Sequence, residues 1–293
     1  MNRGTFIKSL AKGAIGMTTL SAFRKFTDSL EKQNTLMPVL FIGHGSPMNG
    51  IQTNEFSLGW KQMASEIQTP KAVLVVSAHW FTNGTKITSM DFPKTIHDFG
   101  GFPQALYDVQ YPAPGQPLLA KDTAALIKSA HVELDHDWGL DHGTWTVVRH
   151  MYPEANIPVL QLSIDYTKGA KYHYDIAKEL YSLREKGVLI IGSGNMVHNL
   201  RMVAWNKLNE NGYGYDWALN MNDTFKSLIE NGSHDSLINY SLLGKDAMLA
   251  IPTPEHYLPL IYTLGLQNKK DDILFFNDIA VGGSLTMTSV KFG

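Results

Sequence analysis

The sequence predicts a single α/β domain, with a mostly parallel or mixed central sheet flanked by helices. Short apolar runs bounded by turn residues alternate along the chain with longer helical patterns, as strands and helices do in this class. Apolar residues make up 44% of the 293 residues, which is enough to fill a sizeable core. No linker, repeat or low-complexity tract follows residue 36, so we expect one domain over residues 37–293.

Five runs are rich in apolar residues and end at turn residues, as buried strands do. They are Val39–Ile42, Ala72–Ser77, Ile157–Ile164, Val188–Ile191 and Met248–Ile251. The alternating run Thr85–Met90 predicts a strand nearer an edge of the sheet. One or two further strands are expected within Phe275–Val290.

Four segments have the apolar spacing of amphipathic helices. They are Asn54–Ile67, Pro117–Ala130, Tyr172–Lys186 and Trp217–Asn231. Gly187 and Gly232 directly follow the last two segments, and a glycine at this position commonly ends a helix.

Residues 1–36 form an N-terminal extension that differs from the rest of the chain. The segment Arg3–Lys8 resembles a twin-arginine export signal, except that Gly4 stands in place of the second arginine. The apolar stretch that follows is weak, is interrupted by Lys12, and leads to no small-residue cleavage site. We expect either a simple extension or a degraded signal, and therefore a cytoplasmic protein, or a periplasmic one if the signal works.

The composition excludes several classes of function. With 25 basic and 27 acidic residues the net charge is −2, so no basic field attracts nucleic acid. No apolar run is long enough to span a membrane. The chain has no cysteine, which excludes disulfides, zinc–thiolate sites, iron–sulfur clusters and cysteine nucleophiles. Any metal must be held by histidine, carboxylate or backbone oxygen, and 11 histidines are available.

Four histidines come just after four of the predicted strands. They are His44, His79, His198 and His256. Parallel strands deliver the residues that follow them to one edge of a sheet, where ligands of α/β proteins gather. Imidazole is the commonest neutral metal ligand, so the pattern indicates a shared metal site at the carboxyl edge of the strands. Their positions alone are equally compatible with four separate histidines that each have only a structural role.

Two loops carry further candidate groups. Asp141–Trp145 is predicted to be a polar, aromatic loop, in which His142 serves in acid–base chemistry or substrate binding, or is simply solvated. His97–Pro103 is predicted to be a mobile aromatic loop that covers either an aromatic ligand or the core. Four aromatic residues are candidates to wall a substrate or to pack in the core. They are Trp80, Phe99, Phe102 and Tyr257.

Ordered motifs from residue 37 onward resemble the 4,5-DOPA extradiol dioxygenase family, a branch of the class III extradiol ring-cleavage dioxygenases. The matching segments are GHGSPMN at 43–49, SAHWF at 77–81, IHDFGGFPQALYD at 96–108, YPAPG at 111–115, GLDHGTW at 139–145, QLSID at 161–165, GSGNMVHNLR at 192–201 and PTPEHYLPL at 252–260. They are long and spread over nearly the whole predicted domain, while residues 1–36 lie outside the resemblance.

The resemblance implies an α/β fold whose metal is bound by His44, His79, His198 and His256. It implies Zn²⁺ as the ion often found bound and Fe²⁺ as the ion used for ring cleavage. The implied reaction inserts both atoms of O₂ into a catechol, and DOPA gives a muconate semialdehyde. We expect a small-molecule catechol as the partner, no nucleic acid or membrane, and a monomer or small homo-oligomer.

The residues leave several roles open. Non-heme Fe²⁺ oxygenases commonly use two histidines and a carboxylate, so either Glu255 or His256 is the third ligand, and the family pattern favours His256. His198 is either a ligand or the base that takes a catechol proton, and His142 is a second candidate for proton transfer. The same histidines also suit a zinc hydrolase or a non-catalytic metal-binding homologue.

Overall fold

The computed structural model describes residues 35–293 except Asn209 and Asn211, so the predicted N-terminal extension lies almost wholly outside the described residues. The strands are β1 (Val39–Gly43), β2 (Ala72–Thr82), β3 (Thr85–Thr88), β4 (Val132–Asp135), β5 (Val159–Asp165), β6 (Val188–Gly194), β7 (Ile273–Phe276), β8 (Ala280–Val281), β9 (Leu285–Thr286) and β10 (Ser289–Phe292). The helices are α1 (Glu55–Glu66), α2 (Gln104–Tyr107), α3 (Pro117–Leu126), α4 (His142–Met151), α5 (Ala170–Glu179), α6 (Ser182–Glu185), α7 (Asp216–Glu230), α8 (His234–Ile238), α9 (Lys245–Ala250) and α10 (Leu258–Leu266).

Eight of the strands form one mixed sheet in the order β4-β3-β5-β2-β6-β1-β10-β7, while β8 and β9 pair separately. The four central strands, β5, β2, β6 and β1, are all parallel. Antiparallel pairs join β3 to β5 on one side and β10 to β1 on the other. The predicted α/β class and mixed sheet are confirmed, and the carboxyl ends of the central strands lie at one edge.

Helices cover both faces of the sheet because its central strands are apolar on both sides. In β1, Val39 and Phe41 pack into the core that holds α10, whereas Leu40 and Ile42 pack into the core that holds Trp60 of α1. This is the period-two alternation of a strand buried on two faces. Every residue of α10 is buried, as expected for a helix that is apolar all round.

Three sequence predictions need correction. Met248–Ile251 is the end of α9 and not a strand, because its short apolar run packs as a helical turn. Asp141 is the N-cap of α4, so Asp141–Trp145 begins a helix and is not a loop. The predicted helix Tyr172–Lys186 is two helices, α5 and α6, and the segment ends at Gly187 with a left-handed φ of 79°.

Other boundaries agree with prediction to within a few residues. The strand predicted near an edge is β3, and β4, which the sequence analysis did not predict, lies outside it. Phe275–Val290 contributes to the sheet through β7 and β10. Within the part of the chain that the structure describes, none of the helices has the length and hydropathy required to cross a membrane.

Candidate metal centre

His44 and His79 come to the carboxyl edge from β1 and β2, the two strands that flank β6. His44 directly follows β1, and its backbone N–H donates to the Gly194 carbonyl at 3.1 Å. His79 lies inside β2, where the pairing with β5 shifts register between Val76 and Phe81. Such an irregularity redirects side chains that strict alternation would send to a core.

His256 and His198 reach the same edge from loops. His256 follows a helix, α9, and its carbonyl accepts a hydrogen bond from the Asn195 backbone N–H at 2.9 Å. A Cβ on Gly194 would lie 2.1 Å from that carbonyl oxygen, so this approach requires glycine. His198 lies beyond β6, and its N–H donates to the Ala250 carbonyl at 2.8 Å.

Three of these imidazoles form one cluster, which we call the imidazole triad: His44, His79 and His256. Each offers a ring nitrogen, and the three nitrogens lie within 4.8 Å of one another. The Nε2 atoms of His44 and His79 are 3.0 Å apart. The ring centroids are 5.0 to 5.4 Å apart. Histidines from distant parts of the chain therefore converge on one point.

Hydrogen bonds behind the triad orient its rings. The Ser193 hydroxyl donates to the Gly143 carbonyl at 2.5 Å, and so it accepts from His44 Nδ1 at 3.0 Å. His79 Nδ1 lies 3.3 Å from the Asp98 carboxylate. The Nδ1 atom of His44 therefore carries hydrogen, and the Asp98 charge favours hydrogen on Nδ1 of His79, so that the two facing Nε2 atoms each present a lone pair. Two lone pairs at this distance repel unless a cation lies between them.

Burial keeps the triad neutral. Burial, and then the nearby His256, lower the pKa of His44 well below its ordinary value. Burial and then His142 do the same to the pKa of His79. Burial also lowers the pKa of His256, although Glu255 acts in the opposite direction. Neutral imidazole is the form that binds metal, so the triad retains its donors at neutral pH.

His198 lies beside the triad but outside it. Its ring stacks on that of His256, with centroids 3.6 Å apart and planes at 8°. Burial, and then His256, lower the pKa of His198 to about 2. The four predicted histidines therefore do come together, but the closest set of ring nitrogens contains three of them.

Glu255 lies beside His256 and is not a member of the triad. Its Oε1 is 3.5 Å from His256 Nδ1, too long for a hydrogen bond, so this buried nitrogen has no hydrogen-bond partner among the described residues. Burial raises the pKa of Glu255, but His256 and the Thr253 hydroxyl outweigh that effect and hold the pKa of this carboxyl at about 2. An ionised carboxylate thus faces one ligand candidate.

His142 lies on the other side of His79, with ring centroids 3.8 Å apart. Its Nδ1 is 3.0 Å from Asp98 Oδ2, and its backbone N–H donates to Asp98 Oδ1 at 2.9 Å. Burial raises the pKa of Asp98, but the hydrogen bond from His142 outweighs it, and the pKa lies below its ordinary value. The carboxylate is therefore ionised beside two imidazoles.

A buried polar network supports the first turn of α4 beneath these rings. Asp141 accepts from the Ser77 hydroxyl at 2.7 Å and from the Gln161 amide at 2.6 Å. A Cβ on Gly143 would lie 2.6 Å from Ser77 Oγ and 2.9 Å from the His79 ring. Glycine therefore lets α4 approach β2 closely enough to bring His142 beside His79.

The four aromatic candidates separate into two groups. Phe99 meets His142 edge to face, with centroids 5.5 Å apart, and Phe102 packs on Phe99. Tyr257 is 1% exposed and its hydroxyl donates to a backbone carbonyl, so it is a core residue. Trp80 is likewise buried. The loop that carries Phe99 is therefore the one that lies against the site.

Sequence reasoning assigned no role to Asp98, Asp141 or Ser193, although each lies within a motif quoted above. The feature of the sequence that could have indicated a role for them is that each lies next to a candidate histidine or to the end of a strand. Adjacency in sequence does not reveal which atoms meet in space.

The donor set fits a divalent metal ion. Three neutral imidazoles, two of them with facing Nε2 atoms, a buried His256 Nδ1 without a hydrogen-bond partner among the described residues and ionised carboxylates beside the rings suit Zn²⁺ or Fe²⁺. A three-layer α/β domain with such a cluster at the carboxyl edge of its sheet defines an α/β metalloenzyme.

Comparison with known proteins identifies the family. A family model described as the catalytic LigB subunit of aromatic ring-opening dioxygenase matches residues 38–275. The chain belongs to this family and is a ring-opening dioxygenase, which confirms the resemblance found in the sequence. Members of the family depend on a metal.

The relatives match over nearly their full length. The 4,5-DOPA dioxygenase extradiol of Escherichia coli strain K12 is 46% identical over 264 residues, covering 89% of this chain and 96% of that protein. The protein of the same name from Beta vulgaris is 34% identical over 273 residues, covering 89% and 98%. The crystal structure of an uncharacterized protein from Escherichia coli K12 has a TM-score of 0.74 and 40% identity, covering 88% of this chain and 100% of that chain.

Proposed function

We propose that the protein is an extradiol dioxygenase that opens the ring of a DOPA-like catechol with O₂, giving a muconate semialdehyde. The catalytic domain spans residues 37–293. The observation that supports the proposal most directly is the imidazole triad, in which His44 Nε2 and His79 Nε2 lie 3.0 Å apart. The names of the relatives supply the substrate class.

His44, His79 and His256 hold the metal in this proposal. The ionised Glu255, 3.5 Å from His256 Nδ1, acts on this ligand through its negative charge and not through a hydrogen bond. When bound, Fe²⁺ supplies both chelation of the two catechol hydroxyls and one-electron chemistry with O₂. Zn²⁺ supplies the chelation but not the one-electron chemistry.

Two imidazoles beside the triad serve proton transfer. His198 is held neutral by burial, which is the form that accepts a proton, but its pKa of about 2 makes it a weak base. His142 donates a hydrogen bond through Nδ1 to the ionised Asp98, which leaves its Nε2 as the atom that accepts a proton. We therefore assign the principal proton transfer to His142, and a supporting role to His198.

Phe99 supplies an apolar face beside His142. An aromatic ring packed against this side chain gains about 0.5 to 1.5 kcal/mol beyond the burial of its area. The loop that carries Phe99 also carries Asp98, so the binding of the substrate ring and the orientation of His142 share one segment.

The test loads metal-free protein anaerobically with Fe²⁺ or Zn²⁺ and then adds a panel of catechols in air. We expect O₂ uptake and a yellow semialdehyde chromophore only with iron and a catechol. Hydrolysis without O₂ uptake would instead identify a zinc hydrolase. Metal binding without turnover, even with fresh Fe²⁺ and reductant, would identify a non-catalytic homologue.

A further inference from the structure

One carboxylate contacts two imidazoles that have different roles in the proposed function. Asp98 Oδ2 lies 3.3 Å from His79 Nδ1 and 3.0 Å from His142 Nδ1. Asp98 Oδ1 accepts the backbone N–H of His142 at 2.9 Å. The carboxylate side chain is only 17% exposed, so water competes poorly for these contacts. Asp98 therefore connects a ligand candidate, a proton-transfer candidate and the start of α4.

An ionised carboxylate accepts hydrogen bonds and donates none. Its hydrogen bond with His142 places a hydrogen on that Nδ1, and its negative charge 3.3 Å from His79 Nδ1 favours a hydrogen there as well, so each Nε2 is left with a lone pair. For His79, that lone pair lies on the ring edge that faces His44, where the metal ligands converge. For His142, it leaves Nε2 free to accept a proton.

We infer that Asp98 is a positioning residue that sets the tautomer and orientation of His79 and His142 together. The part of this inference that concerns turnover rests on the proposed function. In this role Asp98 holds a metal ligand and a proton acceptor at a fixed separation, with ring centroids 3.8 Å apart. The substrate thereby meets both groups in one arrangement.

A direct ligand role for Asp98 is the competing assignment, because Asp98, His79 and His142 also offer atoms within 4.8 Å of one another. Such a site would use His79 Nδ1 and would leave the facing Nε2 atoms of His44 and His79 without a cation. Asp98 is already occupied, since each of its oxygens accepts a hydrogen bond from His142 and its Oδ2 also lies 3.3 Å from His79 Nδ1. The hydrogen bonds therefore favour positioning.

The test is Asp98→Asn, with Asp108→Asn as its matched control. Asp108 lies in the same segment, is exposed and accepts a hydrogen bond from Gln104 at 2.9 Å. An asparagine keeps the shape of Asp98 but has one acceptor oxygen in place of two. Its NH₂ group must therefore face either the backbone N–H or the Nδ1 of His142, unless the imidazole changes tautomer.

Zinc affinity, measured by competition with a chelator, is the first readout and requires no turnover. We expect Asp98→Asn to bind Zn²⁺ about 10- to 100-fold more weakly than the native protein, as for other residues that orient a ligand. Asp108→Asn is expected to bind Zn²⁺ normally. Unchanged zinc affinity in Asp98→Asn overturns the inference for His79, and complete loss of the zinc site indicates direct ligation instead.

The tautomer of His142 is the second readout, observed by long-range ¹⁵N–¹H spectra of the zinc-loaded protein. We expect hydrogen on Nδ1 in the native protein and in Asp108→Asn, and on Nε2 in Asp98→Asn. A purely structural role for Asp98 would not change this tautomer. Hydrogen on Nε2 in the native protein overturns the inference for His142, and this measurement does not require the variant to fold.

Turnover of a catechol by the iron-loaded protein is the third readout. We expect Asp98→Asn to lower kcat about 10- to 100-fold with little change in KM, because the catechol does not contact Asp98 in this assignment. A change confined to KM contradicts it. If no catechol is turned over by the native protein, the proposed function fails, while zinc affinity and the tautomer still decide the role of Asp98.

Discussion

His44 and His173 are both buried histidines, yet they have different surroundings. His44 is 1% exposed and lies among imidazoles at the carboxyl edge of the sheet. His173 is fully buried between α5 and α10, with Nδ1 3.0 Å from the Tyr262 hydroxyl. Burial is the largest cause that lowers the pKa in each case. Burial alone therefore yields a neutral histidine but does not make a metal site.

The difference lies in where the lone pairs point. Ser193 and Asp98 occupy the Nδ1 sides of His44 and His79, so their Nε2 atoms face one another. His173 also has a hydroxyl at Nδ1, that of Tyr262, but its buried Nε2 has no hydrogen-bond partner among the described residues and joins none of their clusters of metal-ligating atoms. A metal site thus requires convergent lone pairs held by acceptors behind the rings, in addition to burial.

The largest expected effect comes from removing a member of the triad. His44→Ala and His79→Ala should each abolish stoichiometric metal binding and reduce turnover by about 10³-fold or more, because the metal supplies several kcal/mol of catalysis. His173→Gln should keep both properties. Metal content and O₂ uptake measure the outcome, and a normal metal content in His44→Ala would show that the facing nitrogens of His44 and His79 are not required for metal binding.

Removing His142 should have the next largest effect. His142→Ala is expected to keep its metal and to slow turnover about 10²- to 10⁴-fold, the usual contribution of acid–base catalysis. His136→Ala, at an exposed position, is the control and should behave like the native protein. Loss of the metal in His142→Ala would show that His142 belongs among the ligands.

A smaller effect is expected from the hydroxyl behind His44. Ser193→Ala removes the acceptor that holds hydrogen on His44 Nδ1, so the ring is free to adopt the tautomer that cannot bind metal through Nε2. We expect metal affinity to fall about 10- to 100-fold in a chelator competition. An unchanged affinity would mean that packing alone orients His44.

The fold was largely predictable because its central strands are continuous apolar runs. β1, β5 and β6 were each predicted within three residues, because periodicity suffices for such runs, whereas β2 continues five residues past its predicted end and so contains His79. Met248–Ile251 was wrongly predicted as a strand because a four-residue apolar run does not distinguish a strand from a helical turn. β4 was missed because it has four residues of which one is buried, whereas the equally short β3 has three buried residues.

The site was predictable only in part. His44 follows β1 and His79 lies within β2, so the topology of the sheet brings them together. His256 was also predicted at the site, but for a wrong structural reason, because it follows the helix α9 and not a strand. The helical position of His142 was missed, although Asp141 is an N-cap residue type that marks a helix start. Asp98 was not recognised, because its role depends on a loop that folds back over β2 and α4.

The smallest expected effect concerns His173, a buried histidine that lies outside the imidazole triad. Burial lowers its pKa to about 4, whereas an unfolded chain has a histidine pKa of about 6.5. Between these values the unfolded state binds a proton that the folded state does not, so stability falls as pH falls. At pH 5 this histidine should destabilise the native protein by about 2 kcal/mol relative to pH 7.

The variant His173→Gln lacks the titrating group. Between pH 7 and pH 5 its free energy of unfolding should therefore fall by about 2 kcal/mol less than that of the native protein, while the imidazole triad contributes equally to both proteins. Urea unfolding at pH 7 and pH 5, in the presence of a chelator, measures the difference. Equal losses in the two proteins would mean that His173 is protonated in the folded state, and that its surroundings are as polar as those of a surface histidine.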